Sequence, residues 1–147
     1  MRVGKAVLAG IVIWVVGIIW AMLTCGWLFN WVYTIPPRIW KDAASITSTS
    51  NTIGSGLLGL LIALIFVFVY AWLYKGIPGK GIKKGLTYAF IVWLVSAFSG
   101  MITMPFYMTI SWVVVIYWIL NGLVGNLIFG LILGAIYKEK EASAKKK

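Results

Sequence analysis

Four long apolar stretches of this chain contain no charged residue, while lysine crowds the chain ends and one connecting loop. A helix needs about 20 predominantly apolar residues to cross a bilayer. The first stretch runs from Ala6 to about Tyr33 and the second from about Ile53 to Tyr74. The third runs from Leu86 to Met104, where Pro105 stops it, and the fourth from about Trp112 to Tyr137. The pattern predicts an all-α protein: a four-transmembrane-helix bundle forming a single membrane domain over residues 1–147. Membrane strands are much shorter and alternate in polarity, which excludes a strand barrel. With 62% hydrophobic residues, a soluble domain of this length would leave too much apolar surface in water.

The first stretch follows Arg2 and Lys5, as a secretory signal would, but its apolar run is too long for one. Met22-Leu23-Thr24 before Cys25 is a poor lipoprotein signal. Orientation follows from the basic residues. Arg2, Lys5, Lys75, Lys80, Lys83, Lys84 and the tail lysines Lys138, Lys140, Lys145, Lys146 and Lys147 fall on one side. Only Arg38 and Lys41, partly offset by Asp42, fall on the other. The positive-inside rule then places both termini and the middle loop in the cytoplasm; the rule only orients the chain, and the membrane expected is a prokaryotic cytoplasmic one. Trp27, Trp31, Trp40, Tyr107 and Trp112 are expected at the outer interface. Tyr70, Trp72, Tyr74, Tyr88 and Tyr137 are expected at the inner one.

Thirteen basic residues against three acidic ones would suit nucleic acid in a soluble protein. Here the lysines flank apolar segments, so anionic lipid head groups are the expected partners, with Lys75, Lys80, Lys83 and Lys84 as contacts and bound lipid as the only accompaniment. The chain has no histidine, which removes the usual ligand of haem, zinc and di-iron centres. The lone Cys25 excludes an internal disulfide.

The outer loop, residues 34–52, is the one sizeable extramembrane piece. Pro36-Pro37 breaks the first helix and Pro37 suits the start of a new one. A short interfacial helix from Arg38 to Ala44 is expected, with Ile39 and Trp40 dipping into lipid. The Ser/Thr run that follows ends in residues suited to cap the second span. In Lys75-Gly76-Ile77-Pro78-Gly79-Lys80-Gly81 the expectation is a tight reversal with Gly76 as a helix C-cap. It is not a P-loop, because it lacks the Gly-Lys-Ser/Thr ending.

The two halves resemble each other. A shift of 79 puts Lys5, Trp14, Met22 and Thr24 on Lys84, Trp93, Met101 and Thr103, and Gly56-Leu57-Leu58-Gly59 corresponds to Gly122-Leu123-Val124-Gly125. Such a match suggests a duplicated helical hairpin with a parallel pseudo-two-fold axis; chance likeness between apolar helices is the bland alternative. Lipid gives no hydrophobic drive between helices, so small residues must bring them together. Gly122, Asn126, Gly130 and Gly134 form the best packing stripe, with Ser96 and Gly100 on the third span as further packing positions. They serve either the bundle itself or a partner's helix.

Candidate sites are few. Asn121 and Asn126 are amides within a span, each either an interhelical clamp or a ligand contact, with Thr24 and Thr103 as companions. Met22, Cys25, Met101, Met104 and Met108 are soft sulfur groups toward the outer leaflet and would suit Cu(I) if they converged; methionine is also ordinary core filler. No intramembrane histidine or carboxylate supports catalysis or proton coupling, so the chain reads as a non-enzyme.

The segment from Tyr74 through Gly85-Leu86, with Ile91-Val92-Trp93-Leu94, and the segment Leu120-Asn121-Gly122-Leu123-Val124-Gly125 leading to Gly130-Leu131-Ile132-Leu133-Gly134, resemble a widespread set of small four-span prokaryotic membrane proteins. In that set a basic Gly-Pro-Gly loop joins the middle helices. The likeness covers about the second half of the chain. It implies the topology and no activity. Two functions remain. The first is a non-catalytic accessory subunit packed against larger integral membrane protein subunits. The alternative is a small transporter or binder of a neutral or apolar solute, using a pseudo-symmetric cleft near Asn121, Asn126 and Thr103, with Cu(I) handling behind both.

Overall fold

The computed structural model describes residues 2–137. The basic tail from Lys138 onward, with its five lysines, lies outside the described residues. Within them the protein is all-α. Seven helices follow in order: α1 Val3–Ala21, α2 Ala43–Ile46, α3 Thr49–Leu73, α4 Gly81–Trp93, α5 Ser99–Met101, α6 Met104–Tyr107 and α7 Trp112–Ile136. Two wider, π-helical segments prolong α1 (Met22–Leu28) and join α4 to α5 (Leu94–Phe98). Four continuous helical runs are long and apolar enough to cross a membrane: Val3–Leu28, Thr49–Leu73, Gly81–Tyr107 and Trp112–Ile136. This is a multi-pass membrane architecture, a four-helix bundle as the apolar pattern required.

The closest helix pair is α4 with α7, and glycine is the reason. A Cβ on Gly85 would collide with the carbonyl oxygen of Gly130 and sit 2.8 and 2.9 Å from the N and Cα of Gly134. A Cβ on Gly134 would lie 2.7 Å from the Gly81 oxygen and from the Cα of Ile82. The two backbones therefore touch, as small residues permit in membranes. Gly130 and Gly134 were expected to pack, and they do. Their partners are Gly81, Gly85 and Ala89, whereas the packing expected of Ser96 and Gly100 is not seen. A Cβ on Gly100 would meet nothing within 4 Å, and Ser96 is exposed. That expectation is corrected: the third span approaches the fourth at its lysine-bearing end.

α1 packs against α3 and against α7, giving the lateral order α3, α1, α7, α4. The gap between α3 and α4 is bridged by side chains at the lysine-bearing end. Tyr88 Oη donates to the Phe66 carbonyl at 2.7 Å, and Tyr70 lies 5.2 Å from Tyr88 and 5.8 Å from Tyr137, ring centre to ring centre. Tyr70, Tyr88 and Tyr137 are buried, so these three form the core of that end where an interfacial belt was expected. Trp72, by contrast, is 82% exposed.

Lys84 departs most from expectation. It is buried, its Nζ donates to the Tyr74 carbonyl at 2.7 Å, and its ammonium sits 4.1 Å from the centre of the Tyr74 ring. It ties the first turn of α4 to the end of α3 and is not a head-group contact. Lys75, Lys80 and Lys83 remain exposed. In the connecting loop the left-handed glycines are Gly79 and Gly81 (φ +96° and +52°). Gly76 instead closes a turn through its N–H on the Leu73 carbonyl at 2.9 Å.

The long loop also differs from expectation. No helix begins at Pro37 or Arg38; the short helix is α2, started by Asp42. The Asp42 carboxylate accepts from Ser45 N at 2.8 Å and from Ser45 Oγ at 2.7 Å. Trp40, expected to dip into lipid, packs on the protein. It stacks edge-on against Tyr33 (4.8 Å) and Trp118 (5.5 Å). Ser48 does cap α3, accepting from Asn51 N at 3.4 Å. The bonds from Ser45 hold the Asp42 carboxyl below its ordinary range. A depressed folded pKa gives ordering that is complete above the unfolded value and lost as pH falls through the folded one. Amide exchange at Ser45 is therefore expected to be slow at neutral pH and to lose its protection at acid pH. Asp42→Ala should remove the protection at every pH, whereas Asp42→Asn, which keeps an acceptor, should retain it. Equal protection in the alanine variant would contradict the capping role.

Candidate functional site: a cleft between the second and third spans

Beyond the tyrosine core the bundle does not close. Toward the long-loop end, α3 leans on α1 alone and leaves a cleft of about 650 Å³. Trp14, Gly17, Ala21 and Met22 of the first span form its back wall. Thr52, Ser55, Gly59 and Phe66 line it from α3, Val92 and Ser96 from the third span, and Asn126 and Phe129 from α7. None of the residues lining it is charged.

Local structure explains why these side chains meet there. Trp14 reaches across to donate its indole N–H to the Gly56 carbonyl at 2.9 Å, lying flat past Gly59, where a Cβ would be 3.5 Å away. This bond ties the early turns of α3 to the first span. The two π-helical segments both deliver a lining residue, Met22 from one and Ser96 from the other. An inserted residue in a helix turn re-aims its side chains, and such widened turns recur at functional sites. Ser96 Oγ donates to the Val92 carbonyl at 2.6 Å, Ser55 Oγ to the Thr52 carbonyl at 3.2 Å, and Asn126 Nδ2 to the Gly122 carbonyl at 2.9 Å.

The other residues singled out in the sequence disperse. Thr24 and Asn121 do come together, at a polar knot between the first span and α7 and around Cys25. Asn121 Nδ2 lies 3.9 Å from Cys25 Sγ, Tyr117 Oη 3.5 Å and Thr24 Oγ1 3.7 Å, while Thr24 also donates to the Trp20 carbonyl at 2.7 Å. Tyr33 borders this knot; burial pushes its phenol up from the ordinary value, with the Cys25 thiol beside it adding to the shift. Thr103 is exposed and only precedes α6. Of the sulfur residues, Met22 faces the cleft and Cys25 the knot. Met101 and Met104 pack on the cluster around Val32, Trp93 and Val114, and Met108 is exposed. The structure thus distributes these sulfurs over several environments. Gly122 faces Trp93 and Ala97, with contacts no nearer than 3.8 Å.

A second depression of about 610 Å³ lies on the long loop beside Lys41, Ser45 and Asn51. Its lining side chains are mostly exposed, and it has the character of open surface.

A cleft expected near Asn121, Asn126 and Thr103 does open at Asn126, while Asn121 lies in the Cys25 knot and Thr103 is exposed outside it; the α3 wall was not expected. Ser55, Gly56 and Thr52 offered a signal: they are the polar and small residues of an otherwise aliphatic span. Comparison with family models, with curated proteins and with solved structures found no match to this chain.

Proposed function

We propose that this is a non-catalytic membrane protein that binds a neutral or apolar solute from the bilayer in the cleft between its second and third spans. The observation that carries this reading is the cleft around Asn126: open at the surface of the bundle, uncharged and within the usual ligand-pocket range of about 300–1,000 Å³. The stripe offered for a partner's helix supports it too. Gly130 and Gly134 are already filled by Gly81, Gly85 and Ala89, which leaves the accessory-subunit reading without its main warrant. That second reading keeps the small size of the chain and the uncovered long-loop half of α3 in its favour. The lysine-bearing end is taken as cytoplasmic, by the positive-inside rule, so the cleft opens in the outer half of the membrane. The reading includes a duplicated hairpin. Trp14 and Trp93, matched by the repeat, each donate to a backbone carbonyl of the following span, at Gly56 and Ile119, both at 2.9 Å. The resemblance to small four-span prokaryotic proteins is consistent with this topology.

Native mass spectrometry of protein released from nanodiscs of mixed natural lipid tests the two readings against each other. The expected result is one retained small amphiphile or apolar molecule per chain, lost when Ser96→Phe fills the cleft. A stoichiometric larger membrane protein, with no small molecule retained, would overturn the proposal in favour of the accessory subunit.

A further inference from the structure

We infer that the cleft closes around its ligand, with α3 and the third span meeting at Ala63 and Ser96 in a register set by the internal repeat. This rests on the cleft being a ligand site and on the duplicated hairpin, both proposed above. Under the repeat a shift of 79 carries the first span onto the third, as Trp14 onto Trp93, and a shift of 66 carries α3 onto α7, as Gly56 onto Gly122. A tight contact in each hairpin obeys both shifts. A Cβ on Gly10 would lie 2.7 Å from Cδ2 of Leu64, and a Cβ on Gly130 would lie 2.7 Å from the Cβ of Ala89. Ala89 is the mate of Gly10, and Gly130 is the mate of Leu64.

Two hairpins related by a two-fold axis meet at two equivalent seams, since a contact made by one half is repeated by the other. The first seam, α1 against α7, is closed. A Cβ on Gly17 would lie 3.4 Å from the Phe129 ring, and one on Gly125 would lie 3.1 Å from the Trp20 indole nitrogen. The mate of this seam, the third span against α3, is the cleft. The shifts turn Gly17 and Phe129 into Ser96 and Ala63, and Trp20 and Gly125 into Ser99 and Gly59. Ser96, Ala63 and Gly59 all line the cleft. All four mates are small, as a close helix contact in lipid requires. None of the residues lining the cleft is charged, so the approach buries no ion. The two halves differ most at one turn. Residues 15–19 of the first span belong to the regular helix α1, while their mates, Leu94–Phe98, are π-helical. That wide turn carries Ser96, and such turns recur at functional sites. Closure here would cover a molecule resting on Trp14 and Phe129 at the back of the cleft.

Paired cysteines test the register, in the full chain with the one native thiol removed by Cys25→Ser and the protein in nanodiscs of mixed natural lipid. A disulfide forms only when the two Cα atoms come within about 7 Å. Ala63→Cys with Ser96→Cys should bridge nearly completely on oxidation. Gly56→Cys with Ser96→Cys, about two turns away along α3, should hardly bridge at all. Gly59→Cys with Ser99→Cys is the second expected pair, should the first fail to fold. Native mass spectrometry then compares the bridged and reduced chains. The bridged chain should keep its small molecule through a detergent wash that strips the reduced one. Bridging no greater than in the Gly56 pair would overturn the closure, and a small molecule still held by the unbridged chain would leave the cleft a ligand site. A molecule kept by the reduced chain but expelled from the bridged one would overturn the inference as well. No small molecule in either form, even before the wash, would overturn the ligand-site reading and this inference together.

Discussion

Gly85→Ala is expected to destabilise the bundle by about 2–3 kcal/mol, the upper part of the range for overpacking a well-filled interface. In an ordinary helix the same change is favourable by about 1 kcal/mol, because alanine has the better helix propensity. Here the added methyl meets only backbone: the Gly130 oxygen, and the Gly134 N and Cα at 2.8 and 2.9 Å. No side-chain rotation relieves such a contact. α4 and α7 must separate, and the neighbouring contacts at Gly81 and Ala89 loosen with them. Gly130→Ala should behave alike, since its Cβ would stand 2.7 Å from both the Gly85 oxygen and the Ala89 Cβ. Gly54→Ala is the control. A Cβ there meets nothing within 4 Å, so the helix gains propensity without a clash. Reversible unfolding by dodecyl sulfate in mixed micelles, followed by near-ultraviolet circular dichroism, measures all three. Similar midpoints for Gly85→Ala and Gly54→Ala would show that the two helices do not meet through backbone.

Lys84→Ala is expected to cost about 2–3 kcal/mol. A hydrogen bond to a charged group is worth about 1.5–3 kcal/mol and a cation over an aromatic face about 0.5–1 kcal/mol. Both interactions meet at Tyr74, whose carbonyl lies at the negative end of α3, where a cation is favourable. Lys84→Met keeps most of the stem and loses the charge, so its cost should be smaller. Lys83→Ala, one residue earlier and exposed, should stay within about 0.5 kcal/mol, as surface changes usually do. The same micelle unfolding checks these values, and amide exchange across residues 75–80 should speed up in Lys84→Ala alone. Matching losses for Lys83 and Lys84 would refute the internal clamp.

The Lys84 result shows how the sequence misleads near a membrane boundary. A lysine beside an apolar span usually snorkels to the head groups, and nothing in Lys80-Gly81-Ile82-Lys83-Lys84-Gly85 sets one lysine apart from another. Helical rotation does. Lys84 precedes Tyr88 by four residues, so it shares with Tyr88 the face that turns toward α3. The glycine contact was obscured in a similar way. Gly81, Gly85 and Ala89 form a small-residue stripe at four-residue spacing, but Gly81 and Gly85 look like part of the Gly-Pro-Gly loop. Only once α4 is seen to begin at Gly81 does the stripe exist. Asn126 and a cleft beside it were legible from a polar residue in an apolar span, while the lining of that cleft was not, because its walls come from four separate spans.

What the sequence determined alone was the architecture: four helices, their approximate limits, and the basic end that holds the N-terminal segment and the short loop. Uncharged runs of this length have few other outcomes in a bilayer, where every backbone polar group must be bonded within its own helix. The tertiary structure decided which faces meet. In a soluble helix the polar face marks the outside, but α7, Asn121 and Asn126 apart, is apolar on every side, since lipid and core select the same side chains. Its buried face is therefore set by shape, with Gly130 and Gly134 letting α4 approach, Gly125 receiving Trp20, and α3 left standing away to open the cleft.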